Sequence, residues 1–169
     1  GGELFRTAQA EKLALEIVEL DVNDSASVEQ CLANPESIDV LVNNAGFEVE
    51  AAIEQIDDQL MQQQFETNVM GPLRTMRAVL PAWKERGSGV VINVSSIAGR
   101  VGSPYSGAYS ASKFALEALS ESLNFEVSQL GIRVHLIEPG RFATSFKNNK
   151  VRPDCWEGSA QQQRSLAFR

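Results

Sequence analysis

One five-residue run, Val90-Val91-Ile92-Asn93-Val94, limits what this 169-residue chain can fold into. It is apolar and β-branched, and it stops at Ser95-Ser96-Ile97-Ala98-Gly99. Such a run predicts a strand buried on both faces, as in parallel sheets sandwiched between helices. Its two serines then fall at the carboxyl end of the strand, where open α/β sheets bind ligands. After Gly102, Pro104 and Gly107 the period becomes helical, with Ala111, Phe114, Ala115, Ala118, Leu119 and Leu123 apolar. Tyr109 and Lys113 open that helix four residues apart, so both side chains leave one face.

That pairing has chemical meaning. A lysine ammonium within about 4–6 Å of a phenol favours the phenolate and lowers its pKa from about 10 towards working pH. A phenol tuned in this way gives a proton to a carbonyl oxygen or takes one from an alcohol. A serine hydroxyl beside it would hold the substrate oxygen while charge develops there. The same spacing also describes an ordinary helix with a surface lysine beside a half-buried tyrosine.

The rest of the chain alternates strand and helix signals. Residues 1–14 read as the tail of a helix, and Leu15–Leu20 as a strand that stops at Asp21. Asn23, Asp24 and Ser25 are turn and cap residues, and Ser27–Ala33 reads as a short helix ended by Pro35. Ile38–Val42 is a buried strand running into Asn43-Asn44-Ala45-Gly46. Asp57 to about Arg86 is helical, with Gly71-Pro72 and Pro81 expected to kink or bound its segments. Ile132–Ile137 is a further strand, closed by the turn Glu138-Pro139-Gly140. His135, the single histidine, sits in that strand without metal partners and is assigned no chemistry; no metal is expected.

Taken in order, Asn43-Asn44-Ala45-Gly46, Asn68, Ser96, Tyr109-x-x-x-Lys113 and Pro139-Gly140-x-x-x-Thr144 resemble the short-chain dehydrogenase/reductase family. The likeness runs from about Leu13 to Thr144; Tyr109–Ser122 and Leu136–Gly140 are also similar to its steroid- and retinol-dehydrogenase branch. The resemblance implies a single domain over residues 1–169 of three-layer α/β, Rossmann-type, doubly wound architecture with a mostly parallel sheet. It implies hydride transfer between NAD or NADP and an alcohol or carbonyl substrate. Tyr109 would be the general acid/base, Lys113 would lower its pKa and bind the nicotinamide ribose, and Ser96 would orient the substrate oxygen. Asn68 would hold a water of a proton relay. Asp21 and Val22 would meet the adenine, Asn43, Ala45 and Gly46 would line the ribose, with Asn43 tying neighbouring strands, and Pro139, Gly140 and Thr144 would face the nicotinamide. Each position also has a plain reading: Asp21 as a turn or cap, Asn68 as a solvated polar residue in a helix, Pro139-Gly140 as a turn. Residues 145–169 would begin the variable segment that covers the substrate. A homodimer or homotetramer built on the two long helices is expected from the same likeness.

The chain departs from the family pattern in one respect. The likeness begins at the third strand, and the Gly-x-x-x-Gly-x-Gly turn that would set backbone N–H groups against a pyrophosphate is not in the sequence. The last strand and helix of the pattern are likewise not expected at the far end. Either the sequence is a piece of a longer enzyme, or it is a short, non-catalytic dimerisation or regulatory module that kept the fold. The intact Asn68, Ser96, Tyr109 and Lys113 favour the first.

Composition narrows the partners. A net charge of −7 argues against nucleic acid or an anionic membrane surface. No run approaches the roughly 18 apolar residues that span a bilayer. The two cysteines, Cys31 and Cys155, lack metal or disulfide spacing and fit a reducing cytoplasm. Phe47, Val101, Tyr105 and Phe142 are candidates for an apolar pocket that suits a lipophilic alcohol or ketone, or equally for ordinary core.

Overall fold

A computed structural model describes residues 2–140, 142 and 145–168. Helices α1 (Gly2–Ala10) and α2 (Ser25–Cys31) precede strands β1 (Val40–Asn43) and β2 (Glu48–Val49). Next come α3 (Asp58–Phe65), a π-helical turn over Glu66–Met70, α4 (Gly71–Arg86) and β3 (Gly89–Val94). The long helix α5 (Gly107–Val127), strands β4 (Ile132–Ile137) and β5 (Lys150–Val151), and α6 (Ala160–Ser165) complete the order.

The main sheet is parallel, in the order β1-β3-β4, as the apolar runs and the helices between them require. In its register Asn43 lies beside Asn93, and Val94 beside Ile137, so the carboxyl ends of the strands form one ledge. One face of this sheet is covered. Leu41, Val91 and Ile132 pack there with Met76, Val79 and Trp83 of α4 and Val127 of α5 into a single buried cluster. The other face is open, with Val40, Val42 and Ile137 all about half exposed. A second, two-stranded parallel sheet pairs β2 with β5.

Local chemistry sets the element boundaries. Asp24 caps α2 by accepting from the Ala26 N–H, which starts the helix two residues before the expected Ser27. Asp57 caps α3 through the Leu60 N–H at 2.7 Å. Helix α4 ends at Gly87 in the left-handed region. Gly131 enters β4 at φ +76°, and a Cβ there would stand 2.0 Å from the Gly87 carbonyl oxygen, so only glycine fits. Pro72 sits in the first turn of α4, where its missing N–H costs nothing, and Pro81 is carried inside the helix. The interruption of the long helical stretch is instead the π turn around Asn68.

The expected strand at Leu15–Leu20 does not form. Leu15, Val18 and Leu20 are exposed and pair with no strand among the described residues. A strand exists only by its neighbour, and in the doubly wound order the third strand is separated from the fourth by two others. Among the described residues β1 is an edge of the sheet and this segment does not pair with it. Among the described residues no helix is long and apolar enough to cross a membrane.

Candidate active site

A buried polar tie fixes the ledge. Asn43 donates to Asn93 Oδ1 at 2.8 Å and accepts from the Thr75 hydroxyl at 2.6 Å, while Asn93 donates to Ser120 Oγ at 2.8 Å. Four elements, β1, β3, α4 and α5, are thereby pinned to each other, and Asn43 does join neighbouring strands as expected. Beyond the strands the Ile97 N–H bonds to the Pro139 carbonyl at 3.1 Å, which holds the Ser96 turn beside Pro139-Gly140.

Helix α5 then brings Tyr109 and Lys113 against that ledge. Both are buried, and the Lys113 Nζ lies 5.7 Å from the centre of the Tyr109 ring while donating to the Val94 carbonyl at 2.8 Å. The Ser96 hydroxyl, which accepts from the Ala98 N–H at 3.1 Å, lies near enough to the Tyr109 phenol to favour its ionised form. Ser96, Tyr109 and Lys113 therefore converge. Asn68 arrives from the π turn, also buried, but its side chain is used as a tie. Its Nδ2 donates to the Phe47 carbonyl at 3.0 Å and to Ser112 Oγ at 3.1 Å, and its Oδ1 accepts from the Phe47 N–H at 3.2 Å. It is not on a solvated face.

The electrostatics correct one expectation. Burial pushes the Tyr109 phenol above its ordinary value, with the Ser96 hydrogen bond pulling down and the Glu48 charge adding to the rise. The Lys113 hydrogen bond goes to the Val94 carbonyl rather than to the phenol. Burial pushes the Lys113 ammonium down to about 8, against an opposing pull from Glu117.

The remaining expected residues divide. Val22, Asn43, Asn44 and Ala45 line one cavity of about 230 Å³ together with Leu20, Leu41 and Pro72, so these residues do share a space. A Cβ on Gly46 would stand 3.0 Å from Asn68 Oδ1, so the chain passes close to the tie there. Asp21 is exposed and its carboxylate accepts from the Asn23 N–H at 2.9 Å, the plain turn reading. Thr144 lies outside the described residues. The four candidate pocket residues do not gather. Phe47 lines a larger cavity of about 650 Å³ with Gln62, Phe65 and Thr67, away from Ser96 and Lys113. Tyr105 meets Trp156 edge-on and Phe168 at a tilt, and Val101 and Phe142 are exposed.

Sequence reasoning missed the acids. Glu48 is buried and accepts from Ser106 Oγ at 2.7 Å, and Glu117 is buried one turn beyond Lys113. The second was within reach, since residues 109, 113 and 117 recur at helical spacing.

Do these residues fit a nicotinamide dinucleotide? A phenol and an ammonium set beside the strand ends match the hydroxyls of a ribose, and the cavity of about 230 Å³ at Val22 and Ala45 adjoins the end of β1. The half of the site that faces a nicotinamide riboside fits, while no described residue offers a glycine-rich phosphate turn.

The 3-ketodihydrosphingosine reductase of Bacteroides thetaiotaomicron is 42% identical over 135 residues, 78% of this chain and 50% of the relative. Human retinol dehydrogenase 8 is 40% identical over 148 residues, 86% of this chain and 48% of its own. The chain thus spans about half the length of these curated relatives. Among solved structures, a short-chain dehydrogenase from Streptomyces avermitilis superposes with a TM-score of 0.84 at 36% identity, covering 98% of this chain and 65% of that one. The structure of ElxO with NADP bound matches with a TM-score of 0.76 at 26% identity, covering 82% and 59%. A family model described as short chain dehydrogenase matches residues 3–154, so the chain belongs to the short-chain dehydrogenase family.

Proposed function

We propose that this chain carries the acid/base centre of an NAD(P)-dependent oxidoreductase acting on an alcohol or carbonyl group. The observation that supports this most is the convergence of Ser96, Tyr109 and Lys113 at the carboxyl ledge of a parallel sheet. When bound, the dinucleotide supplies the hydride acceptor or donor. Lys113 and Tyr109 would hold its ribose, Asn43, Ala45 and Gly46 the neighbouring edge, Asp21 and Val22 the adenine, and Pro139, Gly140 and Thr144 the nicotinamide.

The chain's own residues handle the proton. Ser96 donates to the substrate oxygen and fixes it beside Tyr109. Tyr109 Oη then gives its proton to a carbonyl oxygen, or takes one from an alcohol, and the Lys113 ammonium steadies the phenolate left behind. Asn68 holds Phe47 and Ser112 in place behind the pair, and its backbone would serve a water relay. Since burial pushes the Tyr109 phenol up, the proton-donating form prevails at neutral pH. That form serves the reductive step; oxidation of an alcohol uses the phenolate, so its rate should rise with pH.

The substrate class we propose is a lipophilic alcohol or ketone, as the names of the Bacteroides and human relatives denote for those proteins. Phe114 and Phe125 share an exposed stripe of α5 and are proposed as a homodimer contact. Fluorescence titration with NADH and NADPH tests the site itself: saturable binding of either supports the reading. Tyr109→Phe should lower turnover at least about 100-fold with dinucleotide affinity nearly unchanged. A variant that keeps most of its activity would show that the acid/base lies elsewhere.

A further inference from the structure

We infer that Arg100 is a positioning residue for Ser96: its guanidinium ties the turn that carries Ser96 to helix α5 on one side and to the end of β4 on the other. The inference rests on the reading of Ser96 as the residue that fixes the substrate oxygen.

The backbone alone leaves this turn half secured. The Ser95 N–H bonds to the Ile137 carbonyl at 2.8 Å and the Ile97 N–H to the Pro139 carbonyl at 3.1 Å, so the chain is held beside β4 as far as Ile97. Past that point the bonds turn inward: the Gly99 N–H goes to the Ser96 carbonyl at 2.8 Å, and the Arg100 N–H to that of Ile97 at 3.0 Å. A single turn held by its own bonds has little to resist a shift. The Arg100 side chain supplies the outside anchor. Its Nε and Nη2 both donate to Glu138 Oε1, at 3.1 and 2.9 Å, and its Nη1 donates to Glu121 Oε1 at 3.4 Å. Its Nη2 also lies 3.2 Å from Glu117 Oε2. Glu138 directly precedes Pro139-Gly140, and residues 113, 117 and 121 recur at helical spacing on α5. One guanidinium therefore joins the three elements that bring Ser96, the pair Tyr109 and Lys113, and Pro139-Gly140 to the ledge.

Exposed ion pairs usually contribute little, and Arg100 and Glu121 are both about half exposed. Glu117 makes this group different. Its side chain is 5% exposed, neither carboxylate oxygen accepts a hydrogen bond from a described residue, and Arg100 is the cation set against its buried charge. The helix also rests directly on the turn, since a Cβ on Gly99 would stand 3.0 Å from Glu117 Cγ and 2.8 Å from Ser95 Oγ. Without the guanidinium, three carboxylates would face one another where the turn, α5 and β4 meet, and their repulsion would part these elements. A planar guanidinium with its fork of N–H donors meets three acids at once, whereas an ammonium supplies the charge without the fork.

Amide hydrogen exchange at Ile97 reads the tie, because that N–H spans the turn and Pro139. Arg100→Gln should speed it roughly ten-fold and leave the Val91 amide unchanged, and Arg100→Lys should recover most of the protection by restoring the charge. Unchanged exchange at Ile97 in a folded Arg100→Gln overturns the inference, and so does equal acceleration at Val91. If Arg100→Gln does not fold, Glu138→Gln decides from the surface side of the tie: Ile97 should exchange about three-fold faster, and no change overturns the inference. Turnover with NADH or NADPH and acetophenone as the probe ketone reads the consequence. In Arg100→Gln the kcat should fall roughly ten-fold with dinucleotide Kd within about two-fold, and Ser96→Ala should lose nothing more when Arg100→Gln is added to it. Losses that multiply would mean that Arg100 does not act through Ser96, and overturn the inference. The exchange experiment needs no turnover, so an inactive wild-type chain counts against the oxidoreductase reading while Ile97 still decides the role of Arg100.

Discussion

The chain has two tryptophans, both fully buried, and they sit in regions held together by different forces. Trp83 lies in the body, against Val91, Val127 and Ile132, and its indole N–H donates to the Ile38 carbonyl at 2.8 Å. Its ring is pressed on the β3 backbone so closely that a Cβ on Gly89 would fall 2.2 Å away. Trp156 lies in the segment over residues 145–168, called the cover for its seat on β2 through β5; it is edge-on to Tyr105, and its indole N–H has no partner among the described residues. Tyr105 itself stands at φ +63°, a region that costs a bulky residue about 1–2 kcal/mol. What fastens the cover is charge: Glu50 binds Lys150 at 2.9 Å and Arg152 at 2.6 Å, and Lys150 reaches Glu48 at 3.2 Å. The packing around Trp83 is thus apolar with its indole satisfied, while Trp156 sits with an orphan donor, a strained neighbour and ion pairs around it. Regions built like the second open first.

The sharpest way to break that contrast is to truncate each ring. Trp83→Ala should cost about 3–5 kcal/mol of global stability in urea unfolding, by the transfer and cavity terms of a large buried aromatic. Trp156→Ala should leave the unfolding of the body within about 1 kcal/mol and act on the cover instead. Equal losses would mean that the two regions unfold as one.

One buried charge disturbs the pattern of the body. The Lys113 ammonium is buried with the Val94 carbonyl as its hydrogen-bond partner, and burial pushes it down to about 8 from a free value of about 10.4. Between those values the unfolded chain binds more protons than the folded one, so stability on this account rises with pH and the cost is complete below about 8. Lys113→Met should therefore gain about 2–3 kcal/mol at pH 7, with the gain shrinking towards pH 10. A loss on that substitution would show that the lysine is a structural asset rather than a functional expense.

The same division explains what could be read from the sequence. β3, β4 and the face shared by Tyr109 and Lys113 were legible because runs of buried residues and four-residue spacings are local signals. Leu15–Leu20 misled because its apolar residues say nothing about whether a neighbour is present to pair with. Asn68 could be read as the holder of a relay water or as a solvated residue, but its tie to Phe47 and Ser112 leaves no local trace. The proximity of Tyr109 and Lys113 could be inferred, but the depth of their burial could not, and depth is what reverses the direction for the phenol. The clamp was the least legible feature, because Glu50 and Lys150 meet across 100 positions of chain.

The smallest expected effect is the one that separates the cover most cleanly. Burial pushes the Glu50 carboxyl up, but the hydrogen bonds and charges of Lys150 and Arg152 outweigh it and hold the group below its ordinary value. An acid depressed on folding contributes fully above its free value, about 4.3, and the contribution fades as pH falls through the lower folded value. The clamp should therefore weaken on acidification and in salt, while the apolar body does neither. Glu50→Gln should cost the cover about 1 kcal/mol, since Lys150 and Arg152 keep part of their solvent. The readout is the Glu50–Val151 backbone bond, 3.0 Å long, whose amide hydrogen exchange should speed up roughly five-fold in the Glu50→Gln variant or at high salt. Protection at the Val91 amide should stay unchanged under both treatments. If both amides respond alike, the ion pairs hold the whole domain and the two tryptophans do not report separate regions.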